Sequence, residues 1–277
     1  MSKISAADVK KLRDLTGAGM MDCKKALAEA DGDFDKAIEY LRKKGQKLSE
    51  KRADREANEG VVLAITSDDK KKGVVLRLSC ETDFVAKNEN FVKLTRSFAD
   101  IALANMPADR DALLALPYED ITVGEKVTEQ LGVIGEKLEI SAYESLEAET
   151  VCPYIHMGNR AGVLVGLNKA VDGEAYDGGR SVAMQVAAMK PIAVDKDGVD
   201  ADTVSKEIEI GKEQARAEGK PEAILEKIAM GKLNKFYKEK TLLNQQFVKD
   251  SKKSVSQYLK SFDGELTVTD FKHISLV

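Results

Sequence analysis

The chain has 277 residues, of which 43% are hydrophobic, so we expect about two or three modules with a true core rather than a disordered protein. Lysine plus arginine (43) nearly balances aspartate plus glutamate (47), and the net charge of −4 argues against a surface built to bind nucleic acid or anionic membranes. The apolar runs are too short to span a membrane, and the N-terminus lacks a signal core, which predicts a cytoplasmic protein.

Residues 1–45 are predicted to form a three-helix N-terminal domain. Ser5 and Asp8 have capping-box spacing at the first helix, and Asp33 is placed to cap the third. Gly45 suits the C-terminal cap of that third helix. In residues 46–59, eight of fourteen side chains are charged, which predicts a linker, either an extended helix or a solvated tether.

The central region is predicted to be an α+β core in two halves, residues 60–145 and 146–201. Its opening stretch, EGVVLAITSDDKKKGVVLRLSC, has the pattern of a β-hairpin, and three further strands are expected between residues 137 and 169. Helices are expected at residues 89–107 and 180–191. This order favours a sheet with helices on one face.

A short internal repeat is visible in the core. A strand beginning at Gly73 and another at Gly162 each lead into a helix in which a serine stands ten residues before a proline. The spacing from glycine to serine is 24 in the first copy and 19 in the second, and the additional residues fall where TDFVA stands. The repeat indicates two related half-domains, although unrelated strand–helix units can also look alike.

The last part of the chain predicts a protruding helical hairpin and a closing segment. Residues 202–241 contain two charged helices joined at Gly219 and Pro221, a glycine stop followed by a proline start. Residues 242–277 then predict a short helix and an alternating strand that returns to the core.

The residue types that carry chemistry are sparse. A hydrolase built from Cys80, His156 and Asp83 is one alternative, but a lone cysteine among apolar neighbours is usually a small core residue. Three scattered cysteines and two histidines lack zinc-site spacing, and the odd number and wide spacing of the cysteines indicate reduced thiols. The stretch GAGMMDCKK lacks the glycine before and the hydroxyl after the lysine of a phosphate loop. We therefore predict no catalytic residue, cofactor, metal or nucleotide site.

Three apolar side chains are candidates for binding a partner. Met20 and Met21 follow a turn with two glycines, and adjacent methionines make an adaptable contact surface unless they fill the helical core. Phe84 follows the predicted strand and either stands exposed or packs under its own loop.

Two long motifs, LTGAGMMDCKKALAEADGDFDKAIEYLRKKG and CETDFVAKN, closely resemble the elongation factor Ts family, the bacterial guanine-nucleotide exchange factors for elongation factor Tu. The resemblance runs from about residue 4 to the final strand. It implies that the N-terminal domain is ubiquitin-associated-like, that the repeat is a two-part core, and that the hairpin is a projecting coiled coil.

The resemblance also implies roles for individual residues. Asp83 and Phe84 are expected to press into the GTPase domain of the partner near its magnesium site, with Thr82 and Val85 framing that tip. His156 matches a core histidine that works on the same side of the partner. The family has an N-terminal surface that docks on a helix of the GTPase domain, and the matching residues in this sequence are Thr16, Gly17, Met20 and Met21.

The implied partner is elongation factor Tu, with no direct contact to nucleotide, nucleic acid or membrane. Whether the chain works as a monomer or a homodimer stays open. The sequence reaches Val277 directly after its last predicted strand, whereas some family members continue into a C-terminal helix that also touches the partner, so that contact is open too. The alternative from another class is a multi-domain adaptor that binds proteins without exchanging nucleotide.

Overall fold

The computed structural model describes residues 4–276 and confirms an α+β protein. Its helices are α1 (Ala6–Thr16), α2 (Met20–Glu29), α3 (Phe34–Lys51), α4 (Asp83–Ala86), α5 (Glu89–Asn105), α6 (Arg110–Ala115), α7 (Val123–Ile134), α8 (Gly173–Met189), α9 (Ala201–Ala217), α10 (Glu222–Lys240) and α11 (Val255–Lys260). Its strands are β1 (Glu59–Thr66), β2 (Lys72–Cys80), β3 (Pro117–Tyr118), β4 (Ile121–Thr122), β5 (Glu139–Glu147), β6 (Thr150–Ile155), β7 (Ala161–Leu167), β8 (Gln246–Phe247), β9 (Asp250–Ser254) and β10 (Val268–Ser275). Among the described helices, none has the length and apolar character needed to cross a bilayer.

Helices α1 to α3 pack around a small apolar core that includes the fully buried Leu12 and Leu27. The capping box predicted at the start of α1 is confirmed, because the Asp8 amide donates to Ser5 Oγ at 3.1 Å and the Ser5 amide donates to the Asp8 carboxylate at 3.0 Å. Asp33 caps α3 by accepting from the Lys36 amide. These caps satisfy backbone donors that a helix start leaves unpaired.

The predicted cap at Gly45 is wrong, because α3 continues through this residue to Lys51. The first part of the predicted linker is therefore helical. Gly45 is buried where α3 meets Gly132 and Thr128 of α7. If Gly132 carried a Cβ, that atom would lie 2.9 Å from the Cα of Gly45. If Gly45 carried one, it would lie 2.9 Å from the Thr128 carbonyl oxygen. A side chain at either glycine would force the helices apart, so the two glycines hold the N-terminal helices directly against the core.

The core contains two three-stranded antiparallel sheets in place of the single sheet expected from the sequence. Their strand orders are β1-β2-β5 and β10-β7-β6. The sheets pack on each other through an apolar layer that includes Val62, Val75, Val151 and Leu164. The other face of the first sheet is covered by α5 and α7, and that of the second by α8 and α11. Helices thus cover one face of each sheet, and the second face is buried between the sheets.

The two segments of the predicted repeat occupy corresponding places, although a common origin stays a prediction. Strands β2 and β7 are each the centre of their sheet and lead into α5 and α8. Both helices end on a residue in the left-handed conformation, Met106 (φ 46°) and Lys190 (φ 45°), directly before a proline. The first half carries the additional helix α4 between strand and helix, whereas β7 reaches α8 through a loop, residues 168–172.

Helices α9 and α10 form the predicted hairpin, with Gly219 (φ 74°) in the turn between them. After α10 the chain returns to the core through β8, β9 and α11, and β10 pairs with β7 as an edge strand of the second sheet. The division of the chain into six segments stays a prediction. Strand β5 runs past the boundary expected at residue 145.

Arg77 on β2 joins distant parts of the core. Its guanidinium donates to the carbonyl oxygens of Ala57 and Asn58, each at 3.3 Å, in the loop before β1. It also donates to the carbonyl oxygens of Ser275 at 3.3 Å and Leu276 at 2.9 Å, at the end of the last strand. The planar fork of arginine matches several acceptors at once, and burial of the group lowers its pKa.

Candidate functional site

Phe84 stands exposed on the short helix α4, with 84% of its surface open to solvent. Thr82 begins the helix, since its Oγ1 accepts from the Val85 amide at 3.4 Å. Val85 is half-buried against the core of the first half. The backbone thus holds one side of the helix on the core and directs Phe84 away from it, which excludes packing of the ring beneath its own loop.

Asp83 lies beside Phe84 and forms an exposed ion pair with Lys87, one helical turn later. The Lys87 Nζ donates to the Asp83 carboxylate at 2.6 Å. This hydrogen bond lowers the pKa of Asp83, so the carboxylate is negatively charged at neutral pH. The exposed end of α4 therefore presents an aromatic ring next to an anionic group.

A groove of about 530 Å³ separates α4 from the N-terminal helices. It brings Gly17, at the end of α1, to the same depression as Phe84 and Val85. Two further lining residues, Val133 and Ile134 at the end of α7, were missed by the sequence analysis. We name this depression the tip groove. It places Gly17 of the predicted N-terminal contact residues near the predicted tip.

Met20 and Met21 are exposed at the start of α2, by 59% and 75% respectively, and so they do not fill the helical core. Together with Val9 they line a second groove of about 540 Å³ on the N-terminal helices. Thr16 has a different place: its Oγ1 donates to the Leu12 carbonyl oxygen at 2.8 Å and accepts from the Ala18 amide. Thr16 therefore shapes the turn that precedes the methionines.

His156 is exposed in the turn between β6 and β7. Its Nδ1 lies 3.2 Å from the Tyr154 hydroxyl, and its amide donates to the Ala161 carbonyl oxygen at 2.8 Å. The next residue, Met157, is 84% exposed and was also missed by the sequence analysis, since nothing in the sequence separated it from the strand.

The turn at residues 156–160 faces α4 across a third groove of about 320 Å³. Asp83 and Lys87 line one side of this groove, and residues 158–160 line the other. Grooves therefore flank α4 on two sides: one reaches Gly17 in the N-terminal helices, and the other reaches residues 158–160 in the turn that follows His156.

The alternative of a hydrolase at Cys80 finds no support in the geometry. The thiol is fully buried and donates to the Thr82 carbonyl oxygen at 3.2 Å. Burial raises the pKa of Cys80 to about 12, whereas a nucleophilic cysteine needs a lowered pKa and access to substrate. Within residues 4–276, no group of three or more histidine, cysteine and acidic side chains is arranged to hold a metal ion.

Comparison with known proteins gives a consistent result. The profile of the family described as Elongation factor TS matches residues 81–276. The chain is 54% identical over 276 residues to an elongation factor Ts of Christiangramia forsetii and 55% identical over 276 residues to one of Flavobacterium psychrophilum. It is 55% identical over 277 residues to one of Cytophaga hutchinsonii, and each of these alignments covers 100% of both chains. The chain therefore belongs to the elongation factor Ts family: it is a translation elongation factor and not an enzyme of covalent chemistry.

Proposed function

We propose that this protein binds elongation factor Tu and promotes the release of GDP by disturbing the magnesium and phosphate site of that GTPase. Membership of the elongation factor Ts family supports the choice of partner. The observation that carries the mechanism is the exposure of Phe84 on a helix whose other side is packed against the core. A large apolar side chain held in solvent in this way is typical of a partner-binding residue.

Exchange of this kind needs differential binding rather than a catalytic base. A GTPase holds its nucleotide through backbone amides, a lysine and a magnesium ion. A factor that binds the nucleotide-free form more tightly must weaken nucleotide binding by the same factor, because the coupling between two ligands is reciprocal. Accelerating release about a thousandfold requires roughly 4 kcal/mol of such differential energy.

Phe84 supplies part of that energy. Burial of one phenylalanine contributes about 1.5–3 kcal/mol, which is less than the total required. We infer that Phe84 inserts between helices of the GTPase and shifts the magnesium ligands. Asp83 brings a negative charge toward the phosphates on the same side, where it raises the free energy of the bound nucleotide.

The adjoining surfaces supply docking energy, which is separate from the differential energy assigned to Phe84 and Asp83. Met20 and Met21 form one exposed apolar contact surface, directly after the turn shaped by Thr16 and Gly17. His156 and the exposed Met157 form another, in the turn whose next three residues, 158–160, line the groove beside Asp83 and Lys87. Contacts made equally with both states of the partner strengthen binding without accelerating release, so we assign these two surfaces to docking.

The test is release of a fluorescent GDP from elongation factor Tu, followed in stopped flow with and without this protein. We expect acceleration by substoichiometric protein, because a factor that leaves after each exchange acts repeatedly. Absence of acceleration, with the protein folded by circular dichroism and bound to the partner in a pull-down, would contradict exchange and favour the adaptor.

A further inference from the structure

The carboxylate of Glu136 is bound to the start of α4. Glu136 lies after α7 and stands 54 positions from Thr82 along the chain. Its Oε2 accepts from the amides of Glu81 at 3.1 Å and Thr82 at 3.0 Å. Its Oε1 accepts from the Thr82 hydroxyl at 2.6 Å. One side chain therefore satisfies three donors in the two residues that precede Asp83.

Glu81 returns the same kind of contact. Its Oε1 accepts from the Lys137 amide at 2.7 Å and from the Arg52 guanidinium at 2.5 Å. The Lys137 amide first and Arg52 second lower the pKa of Glu81, so this carboxylate is charged at neutral pH. The amides of residues 81 and 82 thus donate to the Glu136 carboxylate, and the amide of residue 137 donates to the Glu81 carboxylate. Hydrogen bonds from amides to carboxylates are stronger than those between neutral groups.

The same exchange reaches the N-terminal helices. Arg52 directly follows α3, and the Lys137 Nζ donates to the carbonyl oxygens of Ala53 at 2.9 Å and Arg55 at 3.0 Å. The segment after α3 is therefore fixed to the residues that precede α4. Because α3 belongs to the helices that carry Met20 and Met21, these contacts help to set the distance between the docking surface and Phe84.

A helix as short as α4 needs such support. It has four residues, too few to be stable by its own hydrogen bonds. Its position depends on Thr82 at its start and on the packing of Val85. Thr82 Oγ1 accepts from Val85 while its hydroxyl donates to Glu136, so the Glu136 carboxylate also orients the cap.

We propose that Glu136 is a positioning residue for nucleotide exchange, which holds the start of α4 so that Phe84 meets the partner in a fixed orientation. This inference rests on the proposed function. Glu136 acts through Thr82, and Phe84 is the residue that contacts the partner. Loss of the carboxylate frees the tip without removing either docking surface, so the maximal release rate falls while the concentration needed for half-maximal release changes little.

The variants are Glu136→Ala, Glu136→Gln and, as a matched control, Glu144→Ala, which removes an exposed carboxylate from β5. At saturating concentrations of this protein, we expect Glu136→Ala to lower the maximal rate of GDP release about tenfold. A change of this size corresponds to the loss of roughly one hydrogen bond to a charged group. The half-saturating concentration should stay within about threefold. Glutamine has nearly the same shape, and its amide oxygen can accept from both backbone amides, so Glu136→Gln should restore most of the rate.

Hydrogen–deuterium exchange of the free protein tests the contact independently of activity. In Glu136→Ala, the peptide spanning residues 80–86 should exchange faster, whereas peptides of α1 and α2 should be unchanged. Wild-type release kinetics in Glu136→Ala, or unchanged protection of residues 80–86, would overturn the positioning role. If the wild-type protein itself does not accelerate release, the proposed function fails, and the hydrogen-exchange result still decides whether Glu136 holds the turn.

Discussion

The two halves of the core share an arrangement but differ in the segment after the central strand. In the first half, β2 leads into α4 with the exposed Phe84 and then into α5. In the second half, β7 reaches α8 through a loop that carries no comparable aromatic residue in its sequence, NKAVD. The tip thus lies on a short helix that has no counterpart between β7 and α8, and because Phe84 is exposed, changes to it should affect partner binding far more than folding.

The halves also differ in how closely the helix approaches its sheet. Helix α5 buries Phe91 and Phe98 against the first sheet. Helix α8 places Gly179 at its contact with the second sheet, where a Cβ would lie only 2.5 Å from Cys152 Sγ. The first interface is therefore filled by aromatic rings, whereas the second combines the close backbone approach at Gly179 with the smaller side chains of Val182 and Val186.

The largest expected effect is on the tip. We expect Phe84→Ala to lower the maximal rate of GDP release about 10- to 100-fold, since burial of a phenylalanine contributes about 1.5–3 kcal/mol. The free energy of unfolding in urea should stay within about 0.5 kcal/mol of wild type, because the ring is exposed. The matched control, Ile192→Ala, removes an exposed apolar side chain from the second half and should leave release unchanged. An equal decrease in the maximal rate of GDP release in both variants would contradict a functional difference between the halves.

Close packing in the second half predicts the next effect. Gly179→Ala forces a methyl group against Cys152 Sγ and should lower the free energy of unfolding by about 1–3 kcal/mol. The control is Gly231→Ala in α10, where no atom lies within 4 Å of the added Cβ, and where alanine should stabilise by about 0.5–1 kcal/mol. Cys152→Ala removes the sulfur that the added methyl group would meet. In the Cys152→Ala protein, Gly179→Ala should therefore lower the free energy of unfolding by less than it does in the wild type. An unchanged cost in the double variant would mean that the clash lies elsewhere.

A smaller effect compares the corresponding helix ends. Lys190 is exposed in the left-handed conformation, so Lys190→Gly should raise the free energy of unfolding by up to about 1 kcal/mol. Met106 has nearly the same φ, but its side chain packs against the core of the first half. Met106→Gly should therefore lower the free energy of unfolding, because the lost packing outweighs the removal of backbone strain. Urea denaturation of both variants measures the difference. A gain of stability in both would show that the packing of Met106 contributes nothing.

The smallest expected effect is a pH dependence that arises from His273, one of the two histidines of the chain, on strand β10 of the second sheet. His273 on β10 is half-buried, and its Nε2 has no hydrogen-bond partner among the described residues. Burial first, and then Lys190, lower the pKa of His273 below its usual value.

The sign of this effect comes from linkage. A histidine with a lowered pKa binds a proton more readily in the unfolded chain, so its contribution to stability is lost as the pH falls below about 6.5. Between pH 7 and pH 5, the free energy of unfolding should therefore fall less steeply for His273→Phe than for wild type. Parallel pH profiles of the two proteins would contradict this prediction.

Sequence periodicity predicted the elements that have strong local signals. The capping box at Ser5, the hairpin of β1 and β2, and the glycine turn between α9 and α10 all depend on neighbouring residues. The region from α6 to α7 was not predicted, although α7 begins with a capping box of Thr122 and Glu125, a local signal of the same kind as that at Ser5. Gly45 was misread as a helix end because its true partner, Gly132, is remote in sequence.

The candidate site shows the same limit. The motif identified Phe84, but the sequence left open whether the ring was exposed, because exposure depends on how Val85 and Thr82 are held. Glu136 was missed entirely, since nothing near it in the chain indicates that its carboxylate binds amides 54 and 55 positions away. Contacts between remote side chains and backbone decide the geometry of this site, and a local pattern does not contain them.

The contacts of Arg77 have a consequence for how the protein is made. Arg77 and Ser275 are 198 positions apart, and ribosomes synthesise the chain from its N-terminus. The guanidinium therefore emerges long before two of its four carbonyl partners exist, and the first sheet remains without these hydrogen bonds until β10 has been translated. A nascent chain that ends before β10 should therefore leave this part of the first sheet incompletely bonded and open to chaperones and proteases.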